Sequence, residues 1–194
     1  MYRTTEIQDK LKKDIGEKRY KHSQRVADTA KKLAENFGID TEKAYYAGLI
    51  HDCAKYNEKS YIDKFGIDIL TYPVYSIKDP VLHSFLGAEV AKKVYNIYDE
   101  DILSAIKFHT TGRRGMSDLE KIIFIADAIE PGRNYEGIES IRKISIKSLN
   151  ETMLALLNNN IIYLINKGAI INPLSFEARN YFIEEKNGKI RYNS

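Results

Sequence analysis

The chain has 194 residues, 43% of them hydrophobic, enough for one sizeable core. Its 30 Lys and Arg against 27 Asp and Glu leave a net charge of only +3, and stretches such as "KDIGEKRYK" mix the signs, so no basic stripe suits a nucleic acid. No window nears the roughly 18 uninterrupted apolar residues of a membrane span, and a single cysteine excludes an internal disulfide framework. With no apolar leader in "MYRTTEIQDKLKKDIGEK", a cytoplasmic protein without a membrane partner is expected.

Apolar residues recur three and four places apart almost everywhere, which predicts an all-α, bundle-like fold. One domain over 1–194 is expected, with its core in about 19–185. A first helix runs from about Arg19 to Phe37. Val26, Ala30, Leu33 and Phe37 form its stripe, His22 shares that face, and Gly38 closes it. Asp40 or Thr41 caps a second helix carrying "AYYAGLIHDCAKY". After Gly66 and Pro73, Asp79 as N-cap and Pro80 at the first helical position open the next helix, with His83 in its first turn.

"DEDILSAIKFHTTGR" puts Ile102, Ala105, Ile106 and His109 on one face. "SDLEKIIFIADAIEPGR" opens with the capping box Ser117 and Glu120, and turns Leu119, Ile122, Ile123, Ala126 and Asp127 inward. A long helix is expected from about Ile146 to Lys167, with Leu149, Met153, Leu156, Asn160 and Leu164 on one face and Gly168 as its stop. "NPLSFEARNYFIEE" gives a last short helix capped by Ser175, and "GKIRY" suggests a small C-terminal strand pair.

Asp52, in "GLIHDCAKY", poses the chemical question, because a buried carboxylate costs several kcal/mol unless something compensates it. The chain has four histidines, His22, His51, His83 and His109, and each falls on or near an inward face. Asp52 and Asp127 accompany them. Imidazole with carboxylate suits a first-row transition metal, which would also compensate the two carboxylates. Lys55, about one turn beyond the pair, adds a positive charge. Arg133 carries a planar fork of donors, and Thr110 a hydroxyl. Cys53 reads as a small buried apolar residue. The 14 tyrosines are scattered, and none is assigned to a base.

The order His22, His51-Asp52, His83, His109, Asp127 resembles the HD-domain phosphohydrolase superfamily, where helices converge so that H…HD…D binds a metal. "HSQRV", "GLIHDCAK", "HSFLGAEVA", "HTTGR", "IFIADAIEPGR" and "NPLSFEARNY" together resemble the YqeK-like bacterial family of symmetrical dinucleoside tetraphosphate hydrolases, over about residues 6–185. The resemblance implies cleavage of diadenosine tetraphosphate into two ADP. It implies iron, one ion or two, or another divalent transition metal, with His22, His51, Asp52 and Asp127 as ligands. Catalysis would involve Asp52, His83, His109 and Lys55. His83 and His109 would hold a second ion or contact the phosphates, one of them as general acid. Substrate contacts would come from His22, Lys55, His83, His109, Thr110, Asp127, Arg133 and the segment Leu174, Ser175, Phe176, Glu177, Ala178 and Arg179. The implied partners are the dinucleoside polyphosphate and ADP, with a homodimer open.

Three rivals share the constellation: an HD phosphohydrolase acting on another nucleotide, a di-iron HD-type oxygenase, and a nucleotide-binding module without turnover. The basic trio Lys55, Arg133 and Arg179 favours phosphate chemistry over the oxygenase.

Overall fold

The structure is a computed structural model and describes residues 4–188. Among them it contains helices and no strand, so the all-α expectation holds. The strand pair around "GKIRY" falls almost entirely outside the described residues.

Helix α1 (Thr4–Phe37) begins well before Arg19 and consists of two arms broken at Gly16, whose φ of 78° and ψ of 159° suit glycine. Leu11 and Ile15 anchor the first arm, and Val26, Ala27, Ala30 and Ala34 the second. Helix α2 (Thr41–Ile50) is capped by Asp40, whose Oδ1 accepts from the amides of Glu42 and Lys43 at 2.9 and 3.0 Å. It lies hard against α1: a Cβ on Gly48 would be 2.9 Å from Ala27 Cα. Only glycine allows that approach.

Helix α3 (Glu58–Phe65) and a 3-10 turn (Ile69–Thr71) lead to α4 (Leu82–Tyr95). This helix starts later than Asp79-Pro80 suggests. Asp79 accepts from the amides of Val81 and Leu82, so it caps the turn that delivers the helix. Helices α5 (Glu100–Phe108) and α6 (Asp118–Ile129) follow, and α6 carries the expected capping box. Buried over most of its circumference, α6 packs against α1, α2, α5 and α8 and forms the centre of the fold.

The expected helix from Ile146 is replaced by two, α7 (Ile138–Ser145) and α8 (Leu149–Asn166). Ser148 divides them by accepting from the amide of Glu151 at 3.2 Å, as an N-cap does. The buried face of α8 drifts through Leu149, Met153, Leu156, Leu157 and Ile161, which leaves Asn160 exposed rather than inward. Helix α9 (Pro173–Lys186) is capped by Asn172, not Ser175, because Pro173 already occupies the first helical position.

A continuous core joins Ile7 near one end of the chain to Phe182 near the other. Cys53 is fully buried in it, its thiol donating to the Gly87 carbonyl at 3.4 Å, and burial pushes that thiol up out of the thiolate range. No described helix is long and apolar enough to cross a membrane.

Candidate metal centre

His51 and Asp52 stand in the turn beyond α2 rather than inside a helix. The reason is local. Carbonyls at the end of a helix lack intrahelical partners, and His51 Nδ1 donates to the Gly48 carbonyl at 2.7 Å. The arrangement recurs just past α5, where His109 Nδ1 donates to the Ile106 carbonyl at 2.7 Å. It recurs again at the start of α4, where His83 Nδ1 donates to the Pro80 carbonyl at 2.7 Å. A carbonyl only accepts, so Nδ1 carries a hydrogen in all three rings and Nε2 is the atom turned inward. His22, in the middle of a helix, uses a side chain instead. Its Nδ1 lies 3.1 Å from Glu130 Oε1. Arg25 holds that carboxylate at 2.5 and 3.2 Å, and the Gly132 amide at 2.5 Å.

The inward atoms meet. His22 Nε2 is 3.0 Å from Asp127 Oδ1, and His51 Nε2 is 3.2 Å from Asp52 Oδ2. His83 Nε2 is 3.2 Å from Asp52 Oδ1 and 3.3 Å from His109 Nε2. His22 Nε2, His51 Nε2 and both Asp52 oxygens are buried without a well-formed hydrogen bond, although Arg19 Nη2 lies against Asp52 Oδ2. Buried polar atoms are normally satisfied, and a cation at their meeting point would satisfy these. Two triads, His22–His51–Asp127 and His51–Asp52–His109, have ligand atoms close enough to share one ion each. The donors are imidazole nitrogens and carboxylate oxygens, which fits a divalent transition metal.

The electrostatics agree. Burial alone would raise the Asp52 carboxyl, but His51, His109 and His83 hold it well below the carboxylate range. Asp127 is likewise held low against burial by His22, His51 and Arg133. Burial lowers His83 to about 4 and lowers His109 as well, whereas Asp52 and Asp127 raise His51 against its burial.

Of the expected phosphate-binding residues, Lys55 and Thr110 are at the centre. Lys55 Nζ lies 3.1 and 3.2 Å from the two ring nitrogens of His83, and Thr110 Oγ1 is 3.3 Å from His83 Nε2. The Arg133 fork is already engaged: Nη2 meets Asp127 Oδ1 at 2.5 Å and Nε the Asp127 carbonyl at 2.8 Å, so Arg133 orients a candidate ligand. Arg179 donates to Asn158 Oδ1 at 2.8 Å, which also accounts for one of the three unusual asparagines. Ala178 is fully buried, while Phe176 and Glu177 are exposed. Only Ser175 of that segment lines a cavity of about 450 Å³ that it shares with Pro80, Thr110, Leu157, Asn160 and Tyr163. The cavity therefore runs from beside His83 to the first turn of α9.

Sequence reasoning missed two members. Glu130 follows Asp127 by three places, a spacing that shares a helix face, and Arg19 precedes His22 by the same interval. Those intervals were the available signal.

Comparison with known proteins agrees with this geometry. The HD domain matches residues 19–132. A Staphylococcus aureus protein named symmetrical bis(5'-nucleosyl)-tetraphosphatase is 38% identical over 179 residues, covering 88% of this chain and 90% of the relative. A Bacillus subtilis protein of the same name is 36% identical over 180 residues, covering 89% and 94%. A solved structure described as a predicted HD superfamily hydrolase involved in NAD metabolism, from Clostridium acetobutylicum, is 45% identical. It aligns over 95% of this chain and 99% of its own with a TM-score of 0.83. With the histidine-bearing turns, the ring nitrogens they direct inward and these likenesses together, the chain belongs to the HD-domain family, on the branch of the bacterial symmetrical bis(5'-nucleosyl)-tetraphosphatases.

Proposed function

We propose that the chain hydrolyses dinucleoside tetraphosphates symmetrically, diadenosine tetraphosphate giving two ADP. The observation that carries this reading is the cluster of buried atoms on His22, His51 and Asp52 without a well-formed hydrogen bond, which His83 and Thr110 connect to a cavity of about 450 Å³. The names of the relatives supply the substrate class. We take residues 1–194 as one HD domain, which the continuous core supports.

His22, His51, Asp52 and Asp127 are our ligands for iron, and such an ion supplies a Lewis acid for a phosphoryl oxygen and an acidified water. His83 and His109 each commit Nδ1–H to a carbonyl, which leaves Nε2 as the atom that faces the centre. Beside Asp52, these two Nε2 atoms would be placed to hold a second ion, which would supply a further Lewis acid for the phosphates. Lys55 places positive charge next to His83, and Thr110 offers its hydroxyl as a donor. Both lie where charge redistributes as the bond between the second and third phosphates breaks. Arg133 keeps Asp127 in place. One nucleoside diphosphate half lies along Thr110 toward Ser175, its nucleoside in the cavity.

Incubating iron-loaded protein with diadenosine tetraphosphate in heavy-oxygen water tests this. The label should appear in ADP. AMP plus ATP would refute symmetrical cleavage, and dioxygen uptake without phosphate cleavage would refute any hydrolase reading.

A further inference from the structure

A second cleft, of about 380 Å³, borders the histidine cluster on another side. It is lined by Gly16, Lys18, Arg19, His22, Arg25 and Tyr56 among others, and shares no residue with the cavity at Thr110 and Ser175. His22 and Arg19 connect it directly to Asp127 and Asp52. The candidate metal ligands therefore lie between two cavities, each large enough for a small molecule.

The charges in this cleft can be assigned one by one. Arg25 is taken up by Glu130. Glu17 is neutralised by Lys12 and Lys21, at 2.8 and 3.4 Å. Lys18 is exposed and makes no ion pair among the described residues. Arg19 shares its charge with Asp52 through Nη2, and its buried Nε has no hydrogen-bond partner. The break at Gly16 also starts the second arm of α1 at this cleft, and the beginning of a helix carries partial positive charge. The net character is cationic.

Tyr56 adds a different observation. Its φ is 72°, in the left-handed region that an aromatic residue seldom adopts. Asn96, the other non-glycine residue with positive φ among those described, ends α4 in the ordinary way. Tyr56 closes the run of turns that follows α2, where the Asn57 amide donates to the Ala54 carbonyl, and the residue is 69% exposed. A residue held in an uncommon conformation with an exposed aromatic face, at the rim of a cationic cleft, is suited to stacking on a planar ligand.

We propose that this cleft holds the second nucleoside diphosphate half of the substrate, with Lys18 and Arg19 on its phosphates and Tyr56 stacked on its base. The proposal rests on the tetraphosphatase reading, since only a substrate with two nucleoside ends needs two such pockets. Glu17 and Arg25 are already paired and the lining has no Asn or Gln, so this half should tolerate different bases, as stacking does.

ADP titrated into the iron-loaded protein should fill two sites per chain. Tyr56→Ala should weaken one of them at least tenfold, leave the other and the metal content unchanged, and raise KM for diadenosine tetraphosphate by a similar factor. Tyr56→Phe should restore wild-type values, because it keeps the ring. Lys18→Ala, at an exposed position that does not threaten folding, should weaken the same ADP site. Symmetrical cleavage by the wild type, with only one ADP bound or with both alanine variants unchanged, would overturn this inference alone. Failure of the wild type to produce ADP would overturn the tetraphosphatase reading and this inference with it.

Discussion

His22 and the other three histidines reach the same centre by different means. His51, His83 and His109 are aimed by backbone carbonyls three residues earlier, whereas His22 is aimed by a carboxylate that Arg25 and the Gly132 amide hold in turn. A carbonyl cannot be mutated away, so three of the rings are fixed by the helix ends themselves. His22 depends on a relay of replaceable side chains. The α1–α6 side is therefore where substitution can tune the metal centre, and the α2, α4 and α5 ends are where it cannot.

The most severe test removes ligands from each group. His51→Ala and Asp127→Ala should both lose the ion and all turnover, read by elemental analysis and product assay; full metal content in either would break the assignment. Next, Lys55→Ala should keep the metal while kcat/KM falls by roughly 2 to 4 kcal/mol, the scale of a group that stabilises developing charge. Unchanged kinetics would return Lys55 to a packing role beside His83.

Glu130→Gln sharpens the comparison directly. Metal affinity should fall about 10- to 100-fold through the loss of the partner that orients His22, with the fold intact by circular dichroism. An unaltered affinity would mean His22 needs no relay. On the backbone-aimed side, only a change in packing can act. Gly48→Ala should lower stability by about 1 to 3 kcal/mol, because its Cβ meets Ala27 and pushes the end of α2 outward. Thermal unfolding measures this.

The smallest effect is one of pH. Burial would raise the Glu130 carboxyl, but Arg25, the Gly132 amide and His22 hold it at about 2, below its ordinary 4.5. A carboxyl lowered on folding contributes stability that is complete above its unfolded value and lost as pH falls through the folded one. Metal-free protein should lose this contribution between about pH 4.5 and 2, and Glu130→Gln should flatten that part of the stability profile.

The clustering of these side chains was legible because histidine is rare here and each copy falls in an apolar stretch; six residues in order point to one centre without any knowledge of packing. The capping box of α6 was legible for a similar reason, being local chemistry at fixed spacing. What failed depended on competition between neighbouring signals. Asn172 outcompetes Ser175 as a cap because Pro173 follows it, and Ser148 splits a helix that hydrophobic periodicity alone would continue. The displacement of His51-Asp52 beyond α2 turns on one hydrogen bond to Gly48, which no periodicity encodes. The role of Glu130 required knowing that α1 and α6 pack together, a long-range fact.

Cys53 gives the protein a built-in reporter. The chain's only thiol is adjacent to Asp52, fully shielded, and tied to the Gly87 carbonyl of α4. A thiol-trapping reagent can reach it only when the core around it opens, as when the turn carrying Asp52 parts from α4, so the labelling rate of unmodified protein reports such openings. Loading with metal should slow the reaction and chelation should speed it, so the breathing of the centre can be timed without introducing a probe.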